Sequence, residues 1–188
     1  MKVIKFFSIF LILYCQPVFT YSILIDISEQ RLYLKKKDST VIKSYSISSS
    51  FLGEGQVENS FKTPLGNHII AKKIGENADI GTIFKERVNT GRIASIIKEK
   101  KDIADDVITS RIMWLEGIDH GYNKGGNVDS FNRFIYIHGT AEEGLIGSKA
   151  SHGCIRMFND DVIELFKLVN KGTKVNICLL YTSPSPRD

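Results

Sequence analysis

IYIHGTAEEGLIGSKASHGCIRM, residues 135 to 157, carries two of the four histidines and the one cysteine in a setting that suits chemistry. It begins inside a strand-like run, Phe134 to Ile137, that ends on His138 with Gly139 behind it. It closes with Ser151-His152-Gly153-Cys154 and the short run Ile155-Arg156-Met157. A histidine at a strand end, followed by glycine, can project from a rigid element into a loop-built cleft.

A thiol becomes a nucleophile by losing its proton, and a free cysteine, with a pKa of about 8.5, is mostly protonated at neutral pH. A nearby imidazole can take that proton. His138 and His152 are the candidates. His152 is two positions from Cys154, so in an extended segment both side chains share a face. Gly153 leaves room for a substrate or for a turn that other residues resist. Backbone N–H groups around Gly153 and Cys154 could face an oxyanion. Arg156 alternates with Cys154 and offers a fork of donors suited to a carboxylate. Two other readings stay open on spacing alone. Cys154 could be a small apolar filler, or it could join His138 and His152 on zinc. The chain lacks the paired Cys-x-x-Cys and the His-Glu-x-x-His that would favour the metal.

Outward from this stretch the pattern is one of short strands. Ile23, Ile25 and Ile27 alternate, Ser28 to Gln30 turns, and Arg31 to Leu34 resumes, which predicts a hairpin. Val41 to Ser48 and Asn67 to Lys72 read as further strands, and Val107 to Leu115 as a core strand bearing Trp114. Lys62-Thr63-Pro64-Leu65-Gly66 turns. His68 reads as a strand-face histidine without a catalytic task, and His120 as a solvated loop residue. Residues 75 to 106 read as a helical or irregular insertion over one end of the sheet. Gly117 to Asp129 reads as a flexible lid or cleft wall. Asn159 and Asp160 are expected to cap one late helix whose apolar side is Val162, Ile163, Leu165, Phe166 and Val169, with Gly172 as its stop. Lys174 to Ile177 is the last strand. The fold expected is mainly β, a sandwich or barrel with that single late helix.

The 188 residues suit one domain, 43% of them hydrophobic and 24% charged. The net charge is +4, and Lys2 and Lys5 contribute two of those positives. The near balance that remains gives no case for nucleic acid. Residues 1–22 read as a signal peptide: Lys2 and Lys5, then the apolar Phe6 to Tyr14, with cleavage expected after Thr20 or Ser22. That places residues 23–177 as an exported domain of the periplasm or cell envelope, with no stable membrane span once the signal is removed. Cys154 and Cys178 are expected to stay unpaired. Residues 178–188, ending Pro-Ser-Pro-Arg-Asp, read as a non-native or disordered tail outside the fold.

The residues now named resemble the L,D-transpeptidase catalytic domain family of the YkuD type. His138-Gly139-Thr140 is similar to its upstream His-Gly. Ser151-His152-Gly153-Cys154-Ile155-Arg156 is similar to its Ser-His-Gly-Cys signature, with GLIGSKA before it. Lys62 to Gly66 and Lys171 to Val175 add to the likeness, which spans Ile23 to Ile177. The resemblance implies Cys154 as nucleophile and His138 as its base, with the Gly139 carbonyl fixing the imidazole tautomer. It implies an oxyanion and substrate cleft shaped by Gly139, Ser151, His152, Gly153 and Arg156, with no cofactor. The implied substrate is a peptidoglycan tetrapeptide stem, cleaved with loss of D-alanine. The implied acceptor is a stem amine, giving 3→3 cross-links, a lysine of an envelope lipoprotein, or water, which would make the enzyme a carboxypeptidase. A non-enzymatic wall-binding module is the remaining alternative.

Overall fold

The computed structural model describes residues 21–103 and 106–180. Ten strands form one mixed sheet: β1 (Ser22–Asp26), β2 (Arg31–Lys35), β3 (Val41–Ser48), β4 (Gly66–Ile74), β5 (Thr82–Lys85), β6 (Val88–Ile93), β7 (Ile108–Gly117), β8 (Tyr136–Thr140), β9 (Ile155–Met157) and β10 (Lys174–Cys178). The spatial order is β4-β10-β1-β2-β3-β9-β8-β7, and a further β4–β7 pairing closes these eight strands into a barrel. Closure removes the exposed edges that such short strands would otherwise present. β1–β10 and β8–β9 are parallel, and the remaining pairs are antiparallel.

Alternation along the strands fills the interior. Ile23 and Ile25, Leu32 and Leu34, Tyr45 and Ile47, Ile137, Ile155, Met157, Val175 and Ile177 are buried in one cluster. The one α-helix among the described residues, α1 (Asn159–Leu168), adds Val162, Leu165 and Phe166 to it. The mainly β fold expected from the sequence is the one observed.

Several local expectations differ. Residues 75–106 hold no helix among those described; β5 and β6 form a hairpin that pairs through β5 to the start of β7, and the described residues on either side of the hairpin are turns and irregular chain. β6 is exposed along its whole length and β5 is only four residues long, so the hairpin offers little of the buried alternation by which strands are read. Asn159 does not cap α1. Phe158 occupies the N-cap without a side-chain bond, and Asn159 is the first helical residue. Its amide instead accepts from Thr109 Oγ1 (2.6 Å) and donates to Thr140 O (2.9 Å) and Glu143 Oε1 (2.8 Å), tying β7 and β8 to the helix. The helix ends at Leu168, with Val169 already extended, so Gly172 belongs to the turn before β10.

Gly117 to Asp129 is not a free lid. The buried Asn123 amide donates to Leu65 O and Asn67 O, and Asp119 accepts from Asn67 N, which pins the loop to the start of β4. β10 also runs beyond the expected boundary. It includes Cys178, and Leu180 N–H reaches Asp26 Oδ1 at 3.2 Å. The segment expected to be a signal lies outside the described residues up to position 20, but Ser22 already pairs with Lys35 and Lys174. Cleavage after Ser22 would therefore remove the first residue of β1. Residues 181–188 of the expected tail are outside the described residues.

Candidate active site

β8 and β9 build the site. Ile137 pairs with Ile155, and His138 with Arg156. Ile135, Ile137, Ile155 and Met157 point into the barrel core. The alternate residues look the other way, where Tyr136, Trp114, Ile112 and Phe84 form a second buried cluster against which Cys154 packs. One sheet thus separates an apolar core from a reactive face, as period-two alternation requires.

His138 is buried, and its Nδ1 donates to Gly139 O at 2.7 Å. A carbonyl only accepts, so Nδ1 carries the proton and Nε2 presents its lone pair. Burial holds the imidazole below its usual range, partly opposed by the nearby Asp106 carboxylate and the Gly139 bond. Gly139 is required here: a Cβ would meet Asn159 Oδ1 at 2.6 Å and Thr109 O at 2.9 Å.

Cys154 is partly exposed and packs against the second cluster. Burial pushes the thiol up to about 12, against a lowering contribution from the Tyr136 N–H. The thiol donates to Phe134 O and accepts from Tyr136 N, both at 3.4 Å. No hydrogen bond joins it to His138 among the described residues. The site at rest therefore holds a neutral thiol and a neutral imidazole. Both cysteines of the described chain, Cys154 and Cys178, are free.

The turn before the thiol is tightly held. Ser151 Oγ donates to Cys154 O at 2.6 Å and accepts from Gly153 N at 3.2 Å. The Gly153 N–H is thus engaged within the turn rather than aimed at a ligand, and Ser151 is a brace. Gly153 has φ +121°, a value that disfavours any side chain. Residues 152–154 bend rather than extend, so His152 does not share a strand face with the sulfur. Its half-exposed ring contacts Asp106 Oδ2 through Nδ1 at 3.0 Å and packs edge-on against Phe51 and Phe61.

Arg156 does not reach the cleft surface. It is fully buried, with Nη1 2.7 Å from Glu142 Oε2 and Nη2 2.6 Å from Asp106 Oδ2. The first contact is a hydrogen bond; the second is an ion pair without hydrogen-bond geometry. His138, His152 and Cys154 do not converge as ligands, and no group of three His, Cys, Asp or Glu among the described residues could hold a metal. His68 is buried with both nitrogens bonded, Nδ1 to Gly66 O and Nε2 to Ser130 Oγ, each at 3.0 Å. His120 is exposed.

Three residues of the site escape a reading by sequence. Asp106 touches both His152 and Arg156, yet lies two positions before β7 in an unreadable run; its proximity follows only from β7 lying beside β8. Arg133 donates to Gly55 O, Gln56 O and Lys62 O, which holds the 50s loop and its aromatic rim beside the thiol. Arg87, at the turn of the β5–β6 hairpin, donates to Tyr136 Oη at 3.2 Å.

Comparison with known proteins gives this barrel its family. The model of the YkuD L,D-transpeptidase catalytic domain matches residues 20–177. The chain belongs to that family. The putative L,D-transpeptidase YqjB of Bacillus subtilis is 49% identical over 45 residues, 24% of this chain and 26% of that protein. The putative L,D-transpeptidase YkuD of the same organism is 56% identical over 41 residues, 22% of this chain and 25% of that protein. The chain spans about a quarter of the length of these curated relatives. Among solved structures, an L,D-transpeptidase from Mycobacterium smegmatis is similar at a TM-score of 0.50 and 15% identity, over 85% of this chain and 59% of the other. Bdellovibrio bacteriovorus Bd1075 is similar at 0.53 and 14%, over 86% and 48%. At such identities the likeness is one of fold.

Proposed function

We propose that this chain is an exported L,D-transpeptidase that acts on peptidoglycan tetrapeptide stems through a thioester on Cys154. The observation that carries the reading is the state of His138. Its Nδ1 proton is held by Gly139 O, while Nε2 has no protein partner among the described residues, on the face that also bears the thiol. A thiol at about 12 is almost wholly protonated at neutral pH, so it needs a base rather than ionising alone. In the proposed step the thiol gives up its bond to Phe134 O and passes its proton to Nε2.

The sulfur then attacks the carbonyl of the third stem residue. The C–N bond to D-alanine breaks, and the imidazolium returns its proton to the leaving amine. An incoming amine attacks the thioester, gives its proton to His138 and releases the thiol. A stem amine as acceptor forms a 3→3 cross-link, an envelope lipoprotein lysine anchors protein to the wall, and water gives a tripeptide. His152, Gly153 and the Phe51–Phe61 rim line the approach. Arg156 acts from behind by holding Glu142 and Asp106. The basic and apolar start of the sequence supports export to the periplasm or envelope, and no helix among the described residues is long and apolar enough to cross a membrane.

The test is intact mass after incubation with a defined tetrapeptide stem. The wild type should gain the mass of the acyl stem less D-alanine, and Cys154→Ala should gain nothing. D-alanine release by Cys154→Ala would end the reading. Chromatography of the products assigns the acceptor.

A further inference from the structure

The β5–β6 hairpin brings a cation to the reactive face. Its two turn residues, Glu86 and Arg87, have φ of +50° and +71°, the left-handed pair that a tight two-residue hairpin turn demands. Neither is glycine, so the turn holds a strained geometry with a long side chain at its tip. From there the Arg87 guanidinium carbon lies 5.2 Å from the Trp114 ring centre and 4.8 Å from that of Phe134. Trp114 is fixed in turn by stacking on Phe131 at 4.2 Å and by its indole N–H to Phe131 O. The guanidinium is therefore oriented by two rings, of which Trp114 is held by its own contacts.

Only one of its five donors has a partner among the described residues, the Tyr136 hydroxyl at 3.2 Å. No carboxylate of the chain pairs with it among the described residues. The other cations near the thiol are differently placed. Arg156 is buried between Glu142 and Asp106, and Arg133 is committed to three backbone carbonyls. Arg87 alone of the three keeps a half-exposed fork open beside Tyr136, whose backbone N–H bonds the Cys154 sulfur.

We propose that Arg87 is a specificity residue that binds a carboxylate of the donor stem, its fork oriented by Trp114 and Phe134. The inference rests on the L,D-transpeptidase reading for the nature of the ligand. Of the carboxylates on a tetrapeptide stem, two lie next to the scissile bond: one at the C-terminus and one on the third side chain when that residue is a diamino diacid. Either fits a bidentate guanidinium. The neutral Tyr136 hydroxyl is the resting partner that such an anion displaces.

The experiment uses full-length Cys154→Ala, which binds without turnover, and the same chain with Arg87→Gln added. Calorimetry compares three ligands: the free-acid stem, its C-terminal amide and its side-chain amide. The expected result is about tenfold or greater weakening for one amide, the loss of one charge-assisted bidentate contact. Arg87→Gln should bind the free acid as weakly as that amide and should not distinguish the two; Arg87→Lys should recover part of the preference. The amide that loses affinity identifies the carboxylate. Equal binding of all three ligands, or a preference that survives Arg87→Gln, overturns the assignment. A preference that is intact while wild-type Cys154 fails to acylate overturns the transpeptidase reading and leaves Arg87 standing. If no stem binds, both fall.

Discussion

Two histidines of this barrel, His68 on β4 and His138 on β8, are both buried, and each donates or offers Nδ1 to a backbone carbonyl close in sequence. They differ at the other nitrogen. Ser130 Oγ closes Nε2 of His68, whereas Nε2 of His138 has no protein partner among the described residues. A ring with both nitrogens bonded is held in one place and one tautomer, whereas a ring with one nitrogen unbonded keeps a lone pair to offer. The contrast separates a histidine that holds the fold together from one that is available for proton transfer, and it does so without reference to the signature sequence.

The sharpest way to break that contrast is to exchange each ring for an amide. His138→Gln should lower turnover of a tetrapeptide stem by about 10³-fold, within the range of a lost general base, while its melting temperature stays near that of the wild type. His68→Gln should do the reverse, retaining turnover within several-fold and melting earlier. Steady-state kinetics and thermal melts on the same two samples check both halves. A His68 variant that is inactive but fully stable would remove the distinction.

Sequence alone reached the strands because inward and outward residues alternate in them, as in Ile23 to Ile27 and Lys174 to Ile177. It singled out His138, Cys154 and Gly139 because they lie within one short signature. It did not reach the β5–β6 hairpin, whose second strand is exposed throughout and so shows no alternation. Nor did it reach Asp106 and Arg87. Both come to the site because β7 lies between the hairpin and β8, and a sheet order is a property of the closed barrel rather than of any local run. Arg156 was placed in the right neighbourhood by its alternation with Cys154, but spacing cannot tell an arginine that faces a cleft from one enclosed between two carboxylates. Ser151 and Gly153 were expected to shape an oxyanion site. Their hydroxyl and N–H bond each other, a pairing that only the folded turn reveals.

The pairing behind the reactive face gives the next largest effect. Arg156→Leu leaves Glu142 buried without its cation and should cost about 3–5 kcal/mol, as for a broken buried ion pair. Chemical denaturation measures it. Burial already pushes the Glu142 carboxyl up, so in the variant it should protonate and relieve part of the loss as pH falls. A cost below about 1 kcal/mol would mean that the barrel tolerates the vacancy and that Arg156 is not what holds this face.

His68 supplies a prediction in pH. Burial lowers its pKa from 6.5 to about 4. The folded state therefore prefers the neutral ring, and the unfolded chain binds the proton first. The stability this gives is complete above about pH 6.5 and declines as pH falls toward 4, by about 3 kcal/mol in total. Denaturation midpoints across that window should show the slope in the wild type and a flatter line in His68→Gln. An unchanged slope in the variant would assign it to another group.

Asp106 is where the comparison can be tuned with least disturbance. Its carboxylate lies near His138 and contacts His152 and Arg156; burial pushes it up, but these three hold it below the usual carboxylate range. Asp106→Asn keeps the shape and one acceptor, and Arg156 retains Glu142, so the loss of stability at neutral pH should be about 1 kcal/mol. The wild type should approach the variant as pH falls through the depressed pKa of Asp106, because a lowered carboxylate stabilises the fold only while ionised. The second effect falls on catalysis. Asp106 raises the affinity of His138 for its proton, opposed by Arg156 and by burial. Removing the anion leaves the cation and the burial, so the acid limb of the pH–rate profile should move to lower pH in Asp106→Asn. The His68-linked stability slope should stay where it is, since Asp119 and Arg133 are the charges that face that ring. If the acid limb did not move, or moved together with the stability slope, the free nitrogen of His138 would not be what sets the rate.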